Sequence, residues 1–310
     1  MPDLMHEPTQ LYGRLRAGLD AFANELDGVE AGSVEALHRA RVASRRLREL
    51  IPLLGLDRDV TRNLTHRLRK ATKQLGTVRE LDVEMLLIQE MAQESRYSGS
   101  ALKRIGATSA EARAAARERL SANLRAAKLK GLARKLERVA TDLNSDDAHS
   151  ERSVGSSKRA WLPALEARLA RRAGRVLVAI EAAGAVYVPG PVHGVRIAVK
   201  KLRYVAELAA GSTRKRIAAD IAVLKAAQDL LGRLHDFEML LVRAREAQAS
   251  VSPPDLAAWR DLGSVIHIVQ DECRRLHAGY MHDRSDLRAI ANRMGTRTRE
   301  AQPVGRRTAS

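Results

Sequence analysis

The chain has 310 residues, with 54 Lys+Arg against 37 Asp+Glu and a formal net charge of +17. Hydrophobic residues make up 45% and aromatics only 3%, which excludes a disordered basic tail and argues against a sheet-built protein. A single cysteine, Cys273, excludes an internal disulfide and a cysteine-built metal site, and the most apolar run, residues 176–180, is too short to cross a bilayer.

Ala, Leu, Arg and Glu dominate, and helical periodicity runs through most of the chain. Residues 11–26 read as a first amphipathic helix. Residues 34–54 read as a second, with Ser33 as N-cap and Pro52 near its end. Residues 59–75 make a third, closed by Gly76, and 81–93 a fourth. The Ala/Arg-rich stretch 109–143 is expected to hold two helices that meet near Gly131. Residues 144–157 are polar and have the composition of a linker. Helices then follow at 161–183, 192–210, 216–231, 237–248 and 256–281, with a short one at 285–294 and a basic tail from 295 that is expected to fray. The N-terminus lacks the apolar core of a signal peptide, so the expectation is a soluble protein of a reducing cytoplasm.

A charged grid occurs twice. Residues 38–48 read His-Arg-Ala-Arg-Val-Ala-Ser-Arg-Arg-Leu-Arg, and residues 193–203 read His-Gly-Val-Arg-Ile-Ala-Val-Lys-Lys-Leu-Arg. His38 matches His193, Arg41 matches Arg196, Arg45 matches Lys200, Arg46 matches Lys201 and Arg48 matches Arg203, without a gap. A second match joins Lys70-Ala-Thr-Lys-Gln-Leu-Gly76 to Lys225-Ala-Ala-Gln-Asp-Leu-Leu-Gly232. Duplication of a helical unit is the simplest account.

Advancing about 100° per residue from His38 puts Arg41 near 300°, Arg45 near 340° and Arg48 near 280°. The four fill a wedge roughly 80° wide, with Ala43, Leu47, Leu50 and Leu54 opposite, facing a core. Cations about 6 Å apart at an effective dielectric of about 20 repel by roughly 3 kcal/mol before screening. Residues 34, 37, 42, 44 and 52 hold no carboxylate that relieves this, so relief comes from another helix or from a polyanion. Arg forks and Lys ammonium groups suit phosphate, and a histidine adds a donor that charges near neutral pH. Two such rows, brought together by internal symmetry, would line one basic cleft for an extended polyanion. Gly76 and Gly232 read as helix C-caps. Glu80, Asp82, Asp236 and Glu238 either orient the cations or open the next helix. No Walker A, Rossmann, HExxH or nucleophile-elbow pattern is present, and His277 and His282 are badly spaced for a shared metal.

The segments LHRARVASRRLREL, KQLGTVRELDVEMLL, VHGVRIAVKKLRYVAEL and LKAAQDLLGRLHDFEMLL resemble, in that order, the CHAD family, the conserved histidine α-helical domain. The resemblance spans residues 11–294, in repeats of about 11–143 and 160–294 joined by a linker at 144–159 and followed by a tail at 295–310. It implies an all-α fold of two pseudo-symmetric four-helix bundles around a basic cavity. It also implies a non-catalytic binder of inorganic polyphosphate, associated with polyphosphate granules, that needs no cofactor or metal. By motif match, His38, Arg41, Arg45, Arg46 and Arg48 bind the polymer together with His193, Arg196, Lys200, Lys201 and Arg203. Arg69, Lys73, Arg79, Lys225, Gln228 and His235 are weaker members of that set. The Glu-x-Glu-x-Lys element of the CYTH triphosphatases that often accompany the family is missing, so a stand-alone member is expected. Two rivals remain: a nucleic-acid binder that grips phosphates, and a polyphosphate or triphosphate hydrolase.

Overall fold

A computed structural model of the chain describes residues 7–123, 126–149, 161–210, 215–252 and 255–300. Among these residues there is no strand, and the fold is all-α. The helices are α1 (Glu7–Ala23), α2 (Leu26–Glu30), α3 (Val34–Leu50), α4 (Arg58–Met91), α5 (Gly99–Asn123) and α6 (Ala126–His149). They continue as α7 (Trp161–Ala183), α8 (Pro189–Ala210), α9 (Lys215–Ala249) and α10 (Leu256–Glu300). No helix among the described residues is long and apolar enough to cross a membrane.

Local chemistry explains several boundaries. Gly32 takes a positive φ of 80° after α2, and the hydroxyl of Ser33 accepts the Ala36 amide at 3.2 Å to start α3. Pro52 ends α3 early, at Leu50, because it cannot donate to the helix; Ile51–Leu53 tighten into a 3₁₀ turn. Asp57 caps α4 by accepting the Asp59 and Val60 amides at 2.8 and 3.3 Å. α8 begins at Pro189, ahead of the expected 192, because a first-turn residue needs no N–H donor.

Three expected breaks are absent. Gly76 lies inside the 34-residue α4, Gly232 inside the 35-residue α9, and Gly131 inside α6, which begins at Ala126. A mid-helix glycine costs about 1 kcal/mol relative to alanine. Burial of Leu75, Val78 and Leu81 in α4, and of Leu231, Leu234 and Phe237 in α9, outweighs that cost. Glu80, Asp82, Asp236 and Glu238 therefore sit in helix interiors and open no helix. The expected gap in the last helix is also closed, since Leu276, Tyr280, Leu287, Ala291 and Met294 continue one buried stripe through it. α6 runs through His149; residues 150–160 of the polar stretch and 301–310 of the tail lie outside the described residues.

The chain divides into two compact units. One is Met1–Lys158 with Asp236–Glu272, and the other is Arg159–His235 with Cys273–Ser310. α9 and α10 thus contribute residues to both. In the first unit α3 packs on α1 and α4, and α4 packs on α5. A buried charge network ties this unit together. Asp82 of α4 accepts from Arg113 at 2.6 Å and lies 3.5 Å from Arg117, both in α5. Arg117 in turn donates to the Gly32 carbonyl at 2.9 Å, in the turn that leads into α3. Asp82 therefore braces α5 and orients none of the repeated cations. Glu84, also buried, accepts from Ser109 and from Arg243 at 3.1 Å. In the second unit α7 packs on α8 through apolar residues that include Val176, Ile180, Val195 and Val199.

Candidate functional site

The first basic row lies on α3, and a buried hydroxyl pair sets its register against α4. Ser44 and Thr72 meet oxygen to oxygen at 2.8 Å, while Ser44 also donates to the Arg41 carbonyl at 2.9 Å. From that point the helices run antiparallel. One turn back on α3, the Arg41 guanidinium lies over Gly76, and its Nη2 is 3.3 Å from Glu80 Oε1. A turn further back, His38 feels the charge of Arg79. The same register carries position 48 toward position 69, and position 45 toward position 73. Thus α4 sets Arg69, Lys73 and Arg79 along the row. Arg69 and Lys73 are exposed, Arg79 is half-buried, and on α3 Arg41, Arg45 and Arg48 are half-buried while Arg46 is exposed.

The electrostatics report a concentration of positive charge. The His38 imidazole titrates below its ordinary value, first because its surroundings desolvate it, then because Arg79, Arg45, Arg41 and Arg39 disfavour its charged form. Carboxylates do reach the row from outside it. Glu80 meets Arg41, and Glu25 accepts from Arg39 at 2.6 Å.

The second row lies on α8, with Lys225, Gln228 and His235 on α9. His193 and His235 approach Nδ1 to Nδ1 at 3.2 Å, ring centroids 4.4 Å apart. This pair stands where His38 and Arg79 stand in the first row, so the two helix pairs share one antiparallel register. Arg203 donates through Nε to Gln228 Oε1 at 3.0 Å, pairs with Glu207 one turn on, and lies 4.9 Å from the Tyr204 ring centroid. Arg196, Lys200 and Lys201 are half-buried along the same helix, and Lys225 is exposed. A β-carbon built on Gly232 would meet nothing within 4 Å, unlike one on Gly76.

Sequence reasoning missed two participants. Glu207 was readable as the i+4 partner of Arg203. The closeness of Gly76 to Arg41 had no signal beyond the glycine itself, which reads equally well as a cap. Among the described residues, no group of three or more His, Cys, Asp or Glu is placed to hold a metal ion. His277 packs between Tyr187 and Tyr280, at centroid distances of 5.0 and 5.9 Å, and burial lowers its pKa.

The comparisons with known proteins agree with this architecture. The crystal structure of the CHAD domain from the plant Ricinus communis is similar over 92% of this chain and 91% of its own, at 20% identity and a TM-score of 0.57. PptA from Streptomyces chartreusis is similar over 95% and 99%, at 19% identity and a TM-score of 0.58. At these identities the likeness speaks for the fold. No curated protein matches the sequence. The model of the CHAD domain family matches residues 13–245, a span that contains both basic rows, and the chain belongs to that family.

Proposed function

We propose that the chain binds inorganic polyphosphate without hydrolysing it, through the basic rows of α3–α4 and α8–α9, and that this places it at polyphosphate granules in the cytoplasm. One observation carries the reading most: Arg79, Arg45 and Arg41 gather around His38, whose proton affinity is held down first by desolvation and then by those three guanidinium groups. Such a cluster is stabilised by an anion that offers many oxygens along a line, and a phosphate polymer does so. The family resemblance points to the same ligand. The two rows repeat one grid 155 residues apart and share one register, as a duplicated unit would.

Nucleic acid ranks second. The aromatic residue on the basic helices is Tyr204, which is 5% exposed and covered by Arg203, so it offers no stacking platform for single strands. Hydrolysis ranks third, because Glu80, a carboxylate that reaches the first row, serves as the partner of Arg41.

Isothermal titration with polyphosphate of defined length at several salt concentrations tests the reading. With about four phosphates neutralised in all, doubling the salt is expected to weaken binding by on the order of five- to tenfold. Affinity that ignores salt contradicts it. Orthophosphate released in the same samples, and lost in Glu80→Ala, would replace the binder with a hydrolase.

The histidine makes affinity depend on pH. In the free chain the pKa of His38 is lowered. A bound polyanion cancels the neighbouring positive charge and raises it, so binding takes up a proton. Affinity therefore rises as pH falls through the bound-state pKa and levels off below the free-state one. Stability of the free protein changes the opposite way: the unfolded chain takes up the proton first, so stability falls as pH drops below about 6.5. Dissociation constants measured between about pH 5.5 and 8 are expected to show this slope in the wild type and a shallower one in His38→Gln. A flat wild-type profile removes the histidine from the site.

A further inference from the structure

We propose that Gly76 is a positioning residue for the first basic row, its missing side chain forming a seat in the face of α4 into which the Arg41 guanidinium fits. The inference rests on the polyphosphate-binding reading and adds a residue that touches no ligand.

Gly76 is buried in the middle of α4. Its backbone does not need glycine, because the positive-φ glycines among the described residues are Gly32, Gly55 and Gly184. A glycine there costs the helix about 1 kcal/mol relative to alanine, and alanine is the residue a helix interior favours. Room is what glycine supplies. A β-carbon at this position would overlap Arg41 Nη1 and stand 3.3 Å from Cζ and 3.8 Å from Nη2. The Nη1 end of the guanidinium therefore occupies the space that a side chain at position 76 would fill.

Glu80, one turn further along α4, holds the outer edge of that guanidinium at 3.3 Å. The side chain of Arg41 is only 12% exposed, whereas that of Glu80 is 52% exposed. The pair is long for a charge-assisted bond, so an incoming phosphate displaces the carboxylate with little loss. The seat fixes the arginine; the exposed acid occupies the direction from which a phosphate arrives.

The second row lacks this device. Gly232 matches Gly76 in the repeat, yet a β-carbon on it meets nothing within 4 Å. There Arg203 is held by Gln228 and Glu207. The two glycines are equivalent in sequence and are expected to differ in effect.

The experiment compares Gly76→Ala, Gly232→Ala, Arg41→Ala and the double variant Gly76→Ala/Arg41→Ala in polyphosphate titrations at low salt. The atom that yields in Gly76→Ala is the far end of a flexible side chain, so the helix is expected to persist. Gly76→Ala is expected to weaken binding about tenfold, the loss of one charge-assisted contact. Gly232→Ala is expected to stay within about twofold, as a surface alanine in a helix should. In the Arg41→Ala background the Gly76 change is expected to add nothing, because its effect runs through the arginine. Wild-type affinity in Gly76→Ala, or a loss that persists without Arg41, overturns the inference. The Arg41 Nε–H resonance supplies a readout without ligand: it is expected to move in Gly76→Ala and stay in place in Gly232→Ala, and an unmoved signal in Gly76→Ala also overturns the inference. A wild type that ignores polyphosphate sinks the functional reading instead, and the Arg41 resonance then decides the seat on its own.

Discussion

Reversing one charge in each basic row, Arg45→Glu together with Lys200→Glu, is expected to weaken polyphosphate binding by on the order of a thousandfold. Each change deletes a charge-assisted contact of about 1.5–3 kcal/mol and puts a carboxylate where a phosphate oxygen should lie. Glutamate forms helices about as well as arginine or lysine, so circular dichroism is expected to be unchanged. A check without ligand exists for the first row. Arg45 is among the groups that lower the His38 pKa, so replacing it with an acid must raise that pKa. Helicity retained with wild-type affinity contradicts the assignment of both rows. Helicity retained with an unmoved His38 titration contradicts the geometry of the first.

Asp82→Ala is expected to cost about 3 kcal/mol of stability, the low end for a broken buried ion pair because its arginines are partly solvated. The Asp82 side chain is 1% exposed, and those of Arg113 and Arg117 are each 33% exposed. Removing the carboxylate leaves two guanidinium groups beside a cavity with no counter-charge. For a cooperative unit of this size the loss lowers Tm by roughly 6–12 °C. Asp82→Asn keeps a hydrogen-bond acceptor and is expected to lose less. Arg117 also holds the Gly32 carbonyl just before the Ser33 cap, so the start of α3 is expected to lose amide protection along with Asp82. A fall of less than about 2 °C in Asp82→Ala would show that the network adds little.

The helical class and the basic rows were legible because both are periodic. The Ser33 cap was legible because it is local. Segment boundaries at Gly76, Gly131 and Gly232 were misread for a physical reason: a glycine's local cost is small, and the burial that overrides it comes from other helices. The helix expected from 192 starts three residues earlier, at Pro189, since a proline is harmless in a first turn. In the site, the neighbours of His38 along α3 could be counted from spacing. The approach of Arg79 could not, because it depends on the Ser44–Thr72 contact between helices. Glu80 could be named as a possible partner of the row, but its pairing with Arg41, and the separate role of Asp82, follow only from how α3, α4 and α5 pack.

Competition at equal phosphate concentration tests the central claim most directly. The full chain, loaded with labelled polyphosphate at near-physiological salt, is challenged with duplex DNA and with ATP. If the rows are matched to a flexible chain of phosphates, unlabelled polyphosphate displaces the label at concentrations well below those of either rival. Displacement by duplex DNA at the same or lower phosphate concentration contradicts the account and makes this a nucleic-acid-binding protein.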